Sequence, residues 1–288
     1  MKRLLWFLVA ICLIPSFMEA QSFYSTRRNR NLLVGFGSGT ANYYGEMVNP
    51  GEFGALKFNI AANAEYYLRE RISVRTTLTF FQISGNDAKA NDDRQERNLS
   101  FKSSNIELSA LGVLNLSPVG LRFYQRSQIN LHAFAGIGLL YFNPKAEYKG
   151  KTYALEPLQT EGSGYSRVTP VIPIGLGARI KLDPFFNILI EGGYRITFTD
   201  HLDDVSVRRY PEASTLKSDL SRALSDRRVE IGTQPPIPSQ QGVRGNPNKN
   251  DGYFLANITL QYYLPTEIFQ DSQRKLYNRK RKYYYRRP

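Results

Sequence analysis

The chain has 288 residues, 42% of them hydrophobic, with a net charge of +13 and a mean hydropathy of −0.39. Its single cysteine is Cys12, so no disulfide framework, thiolate zinc site or cysteine nucleophile is available beyond the first residues. With His132 and His201 as the two histidines, histidine chemistry has few possible anchors.

The amino terminus reads as a secretory signal peptide over 1–20. Lys2 and Arg3 precede an apolar run from Leu4 to Phe17, and the small residue Ala20 marks the cleavage site. A permanent spanning helix would need about 20 apolar residues, and Pro15 and Glu19 interrupt this run. Residues 21–30 then form an N-terminal periplasmic segment.

From 31 to 264 the sequence predicts an all-β domain of eight strands, each apolar at every second position. The first, about 31–42, sets Leu32, Val34 and Phe36 against Gly35, Gly37 and Gly39. The second, near 55–68, sets Phe58, Ile60, Ala62, Ala64 and Tyr66 against Lys57, Asn59, Asn63 and Glu65. The third places Ile72, Val74, Leu78 and Phe80 opposite Ser73, Arg75, Thr77 and Thr79. The fourth, near 101–116, places Ile106, Leu108, Ala110 and Leu114 opposite Glu107, Ser109 and Asn115.

The fifth, about 128–143, alternates most weakly, with Leu131, Ala133, Ala135, Ile137 and Leu139 facing away from His132, Phe134, Gly136 and Gly138. The sixth sets Ile172, Ile174, Leu176, Ala178 and Ile180 against Gly175, Gly177, Arg179 and Lys181. Asp183 and Pro184 turn the chain into the seventh, where Ile188, Ile190, Tyr194, Ile196 and Phe198 oppose Glu191, Gly193, Arg195 and Thr197. The eighth presents Phe254, Ala256, Ile258, Leu260 and Tyr262, with Asn257, Thr259 and Gln261 opposite.

Connections alternate: short or moderate after strands two, four and six, long after one, three, five and seven. Outer-membrane barrels have short periplasmic turns, long external loops and, with an even strand count, both termini in the periplasm. The expected fold is therefore an eight-stranded antiparallel transmembrane (outer-membrane) β-barrel with long external loops. A soluble lipocalin-like barrel or sandwich carries the same alternation with its faces exchanged. The loop asymmetry, the wide apolar band and the tyrosines near its ends favour the membrane barrel.

Eight charges fall on the polar faces: Lys57, Glu65, Arg75, Glu107, Arg179, Lys181, Glu191 and Arg195. An eight-strand barrel is just wide enough for side chains to fill it, so these groups should pair across a plugged lumen. No catalytic, cofactor or metal motif stands out, and the chain is expected not to be an enzyme. Asp200, Asp203 and Asp204 start the longest loop without EF-hand spacing, which favours loop ordering over calcium. Asn86, Asp87, Asn91, Asp92 and Asp93 read as solvated loop composition. His132 reads as a packed or girdle histidine, its alternative being the anchor of a lipid-modifying site. Leu216, Leu220 and Leu224, spaced by four, suggest a short helix within 211–227.

Residues 265–288 form a basic periplasmic tail. Between Gln270 and Pro288 eight Lys or Arg stand against Asp271: Arg274, Lys275, Arg279, Lys280, Arg281, Lys282, Arg286 and Arg287, interleaved with Tyr277 and Tyr283 to Tyr285. Behind a signal peptide, nucleic acid is not the expected partner. An acidic protein, anionic lipid headgroups or the cell wall fits the charge, and a merely solubilising end is the plain alternative.

Three stretches resemble a known family: Val34-Gly35-Phe36-Gly37-Ser38-Gly39 with Asn42-Tyr43-Tyr44-Gly45-Glu46; Arg97 to Ser103; and Thr197 to Ser206. With Gly245-Asn246-Pro247 and Asp251-Gly252-Tyr253-Phe254, they resemble the PorG-like outer-membrane barrels of the type IX secretion system. The resemblance spans most of the chain but not the tail. It implies a barrel associated with a periplasmic ring of the PorK lipoprotein and PorN, supporting protein export, and brings no catalytic residues. The expected function is a non-enzymatic outer-membrane anchor or scaffold for such an assembly. A general barrel of adhesin or envelope-stability type, acting through its external loops, is the alternative.

Overall fold

The computed structural model describes residues 31–49, 55–90, 94–119, 125–232 and 243–264. The signal peptide, the segment 21–30, the basic tail, and Asn91, Asp92 and Asp93 lie outside the described residues.

The strands are β1 (Leu32–Tyr44), β2 (Lys57–Tyr67), β3 (Ile72–Asn86), β4 (Ser100–Asn115), β5 (Ile129–Tyr141), β6 (Pro144–Tyr148), β7 (Lys151–Ala154), β8 (Val168–Lys181), β9 (Phe186–Thr197) and β10 (Gly252–Leu264). Eight of them pair in the order β3-β2-β1-β10-β9-β8-β5-β4, and β3 pairs with β4 to close the ring. Every neighbouring pair is antiparallel. The chain is thus a closed eight-stranded antiparallel barrel, with no free sheet edge around its wall.

The faces follow the period of two. Leu176, Leu78, Leu108, Ile137, Phe36 and Ile258 point out and are exposed, whereas Glu65, Arg75, Glu107, Arg179 and Gln261 point in and are buried. A continuous belt of exposed large apolar side chains is intolerable in water and is the exterior that an outer-membrane barrel presents to lipid. At one end the chain turns tightly. Asp183 accepts hydrogen bonds from the Phe185 and Phe186 amides at 2.6 and 2.7 Å, fixing the β8–β9 turn. At the other end the long connections gather.

The structure adds a β6–β7 hairpin where the sequence suggests only a loop after the fifth strand. Lys149 and Gly150 both have positive φ, the backbone that a two-residue hairpin turn requires. Ala146 buries one face of the hairpin, and Lys102↔Lys145 and Ser103↔Pro144 fasten it to β4. A Lys-Gly pair is a weak turn signal beside Asn-Gly, so the sequence leaves this element unmarked. The helix within 211–227 is shorter than its leucine spacing suggests: it spans Asp219–Ser225, with Ser218 capping the Ser221 amide at 3.1 Å. Leu216 and Leu224 are buried, as a core-facing stripe requires.

The β1–β10 seam brings the backbones close together at Gly37 and Gly39. A Cβ added to Gly39 would collide with the Ala256 carbonyl oxygen of β10, a backbone atom that cannot swing aside. Gly39→Ala is therefore expected to force β1 and β10 apart and lower folding stability by about 1–3 kcal/mol. Urea titration of the refolded barrel reads this, and an unchanged midpoint would contradict the closure geometry.

Candidate functional site

The lumen holds the first charged cluster, near the short-turn end. Glu65 on β2 is fully buried, and both of its carboxylate oxygens accept from Arg179 on β8, at 2.8 and 2.7 Å. Ser73 donates to the same carboxylate at 2.6 Å, and Arg75 stands 3.8 Å away. The Arg179 guanidinium also reaches Gln261 and Asn115, each at 3.0 Å, and the Tyr67 hydroxyl. A guanidinium with its donors engaged and its charge paired is the arrangement under which a buried ion pair can persist.

Glu191 on β9 links this cluster upward. Arg75 meets it at 2.6 Å as an ion pair that approaches off the hydrogen-bond axis, and His132 Nε2 lies 2.7 Å from the same oxygen. Gly177 makes room for this meeting, because a Cβ there would lie 2.7 Å from both the His132 ring and Glu191. His132 is therefore a packed lumen residue and not part of an aromatic girdle. Higher still, Arg195 Nε stands 3.4 Å from Glu107, which accepts from Tyr253 at 2.8 Å.

Six of the eight charges expected in the lumen are thus brought together. The other two are not: Lys57 and Lys181 are only half-buried, at opposite rims of the barrel. They occupy the first position of β2 and the last of β8, where the wall ends and solvent is within reach of a long side chain.

Both mouths are closed. Arg126, in the β4–β5 connection, lies over the Tyr263 ring at 4.7 Å and donates to Asn187 and to the carbonyls of Asp183 and Pro184. The cavity behind it, bounded by Tyr67, Arg179 and Asn187, is only about 10 Å³, room for a single water at most.

At the opposite mouth the long loops fold into a cap. Beneath it Phe81, Phe101, Leu140, Phe142, Leu202 and Tyr253 form a buried apolar cluster. Above that layer, polar pairs tie the loops together. Asp87 binds Arg97 through two hydrogen bonds of 2.6 and 2.7 Å and accepts from the Leu99 amide. Arg97 also donates to the Arg244 carbonyl, and Arg244 donates to Glu161 and to the Asp204 carbonyl. Tyr43 stands 2.7 Å from both Asp203 and Asp251. Asp87 is thus fully buried, which corrects its reading as a solvated loop residue. Asp203 and Asp204 order the longest loop, and among the described residues no group of three His, Cys, Asp or Glu is placed to hold a metal ion. Arg97, Arg126, Arg244 and Asp251 lie outside any period-two pattern, so only the folded loops reveal them.

Burial sets the charge state of the cap acids. Asp200 is pushed up to about 8, chiefly by burial and then by Asp203 and Glu46. Asp203 and Asp204 rise to about 7, again chiefly by burial. All three start from an ordinary value of 3.8, so their folded forms hold protons more tightly than the unfolded chain. Their contribution to cap stability is full below pH 3.8 and lost as pH rises through 7 to 8. Hydrogen exchange over residues 199–232, corrected for the intrinsic rate, should be faster at pH 8.5 than at pH 6 by this linkage. Slower opening at the higher pH would contradict it.

A family model described as "Domain of unknown function (DUF6089)" matches residues 5–219, well over half of the chain, which therefore belongs to that family. No curated protein matches the sequence. Among solved structures, Neisserial surface protein A (NspA) is 10% identical, covering 81% of this chain and 97% of that one at a TM-score of 0.40. A major outer membrane protein from Thermus thermophilus is 12% identical, with 80% and 98% covered and a TM-score of 0.40. OprG from Pseudomonas aeruginosa is 10% identical, with 82% and 99% covered and a TM-score of 0.38. The closed strand ladder, and not these likenesses, establishes the fold.

Proposed function

Taking the chain as a member of the DUF6089 family, we propose that it is a non-conducting outer-membrane anchor that supports a type IX secretion assembly from its periplasmic end. The observation that carries the anchor role is the filled lumen: Glu65, Arg75, Arg179, Glu191, Glu107 and Arg195 occupy the interior, and Arg126 stoppers one mouth. With no passage and no solvent-open reactive group there among the described residues, the ends of the barrel are its working surfaces. In the usual arrangement of such barrels the long-loop cap faces outward and both termini lie in the periplasm.

The choice of partner rests on the resemblance to PorG-like barrels and on the basic tail. Periplasmic ring proteins of the PorK and PorN type would engage that end, and outer-membrane lipid the wall. His132, held inside against Glu191, acts as a packing residue, and the reading assigns no catalysis. Affinity capture of the full chain from a detergent extract should recover ring components, and removal of residues 270–288 should weaken that recovery. Capture of the intact chain without any ring protein would sink the secretion role.

The ordered cap favours a second reading, a barrel of adhesin or envelope-stability type acting through its long loops. Gene deletion separates the two: loss of surface attachment with secretion intact selects the second.

A further inference from the structure

The outer wall of the β3–β4 hairpin changes character along its length. Phe80 and Ile106, register partners and both exposed, end the apolar belt on this side. The next outward pair is Gln82 and Ser104, and the one after it Ser84 and Lys102. Lys102 therefore stands roughly 13 Å beyond Ile106 along the strand. Strands of such barrels tilt by about 40°, so Lys102 lies about 10 Å above the last apolar pair, on the headgroup side of the belt.

Lys102 is directly opposite a second lysine, Lys145 of β6. Like charges in facing positions destabilise a ladder, and no ion pair is formed by either lysine among the described residues. Both line a cleft of about 490 Å³ together with Lys57 and Lys89. Glu147 is the one carboxylate among the lining residues, and none of the four ammonium groups is ion-paired among the described residues. Ser84, Ser100 and Asn86 supply neutral hydrogen-bonding groups to the same space. Four lysines without an ion-pair partner among the described residues, around a cleft that Met47, Phe101 and Ala146 also line, form a site for a multiply charged anion, because lysine binds phosphate as a point charge without a fixed fork.

We propose that this lysine cleft binds the phosphate groups of a phosphorylated glycolipid in the outer leaflet. Its place just above the apolar belt selects a lipid headgroup over a soluble anion, since a ligand anchored in the leaflet presents its phosphates at this height. The inference rests on the long-loop end facing outward, and it does not involve the tail or the secretion ring. Failure of ring capture leaves it standing, and its own failure leaves ring capture standing.

The test uses the full chain folded in detergent micelles, with heat-modifiable gel migration to verify folding. The probes are diphosphoryl lipid A, its fully dephosphorylated form and inorganic phosphate. Wild type should bind the diphosphoryl form, and K102Q/K145Q should bind it about tenfold more weakly, from two lost charge-assisted contacts. Lys151→Gln, an exposed lysine outside the cleft, should bind as wild type does. Lys89→Gln, outside the strands, repeats the test should the strand variants not fold. Equal binding of the dephosphorylated lipid, or undiminished binding by the folded lysine variants, would overturn the proposal. Inorganic phosphate binding as tightly as lipid A would overturn the lipid source and assign the cleft to a soluble phosphate.

Discussion

Replacing Glu65 with alanine is expected to lower folding stability by about 3–5 kcal/mol, the cost of leaving a buried charge without its partner. Glu65 is fully buried, and its removal strands Arg179 inside the wall with no carboxylate, whereas Arg75 keeps Glu191 at 2.6 Å. Arg179 would keep Gln261 and Asn115, which satisfy its donors but not its charge. Glu65→Gln preserves the shape and some hydrogen bonds, so it should cost less. A double variant that also replaces Arg179 with methionine should cost less than the sum of the two single changes, because the two residues act as a unit. Urea titration of the refolded barrel measures all three. Additive losses would mean that the pair is not coupled as its 2.7 Å contact indicates.

The second large effect concerns the outer face. Leu176 is 69% exposed and sits near the middle of β8, paired with Ala133 and Gly192 on its two neighbours. Facing lipid, Leu176→Arg should destabilise the inserted barrel by about 2–4 kcal/mol, the cost of arginine near the bilayer midplane. In a soluble barrel the same change would be neutral or would improve solubility. Ser104→Arg, above the apolar belt on β4, should have an effect near zero in comparison, since the penalty falls toward the interface. Equilibrium folding into lipid vesicles distinguishes these outcomes, and equal effects at both positions would argue against lipid contact at Leu176.

The barrel was legible in the sequence because membrane strands show both of their environments. Leu176 and Arg179 lie three residues apart on β8, and the period of two alone sends one out and one in. The same rule placed Glu65, Arg75, Glu107, Glu191 and Arg195 in one interior. It misplaced Lys57 and Lys181 because periodicity gives a face and says nothing of height, and these two stand where the wall ends.

The cap was not legible. Its pairs join distant loops, Arg97 with Arg244 and Arg244 with Glu161, and no spacing rule connects residues so far apart in the chain. Asp87 shows how this misleads. Its neighbours are polar, so composition points to solvent, yet Arg97 ten positions later folds back and buries it. The β6–β7 hairpin was hidden for a different reason, since its strands are too short for alternation to register and its Lys149-Gly150 turn is an uncommon one.

A charge-filled interior closed at both mouths should pass no ions. Ion conductance of the refolded wild-type protein in a planar bilayer checks this: after verified insertion the baseline should stay flat. Stable, reproducible conductance steps from the wild-type barrel would contradict it.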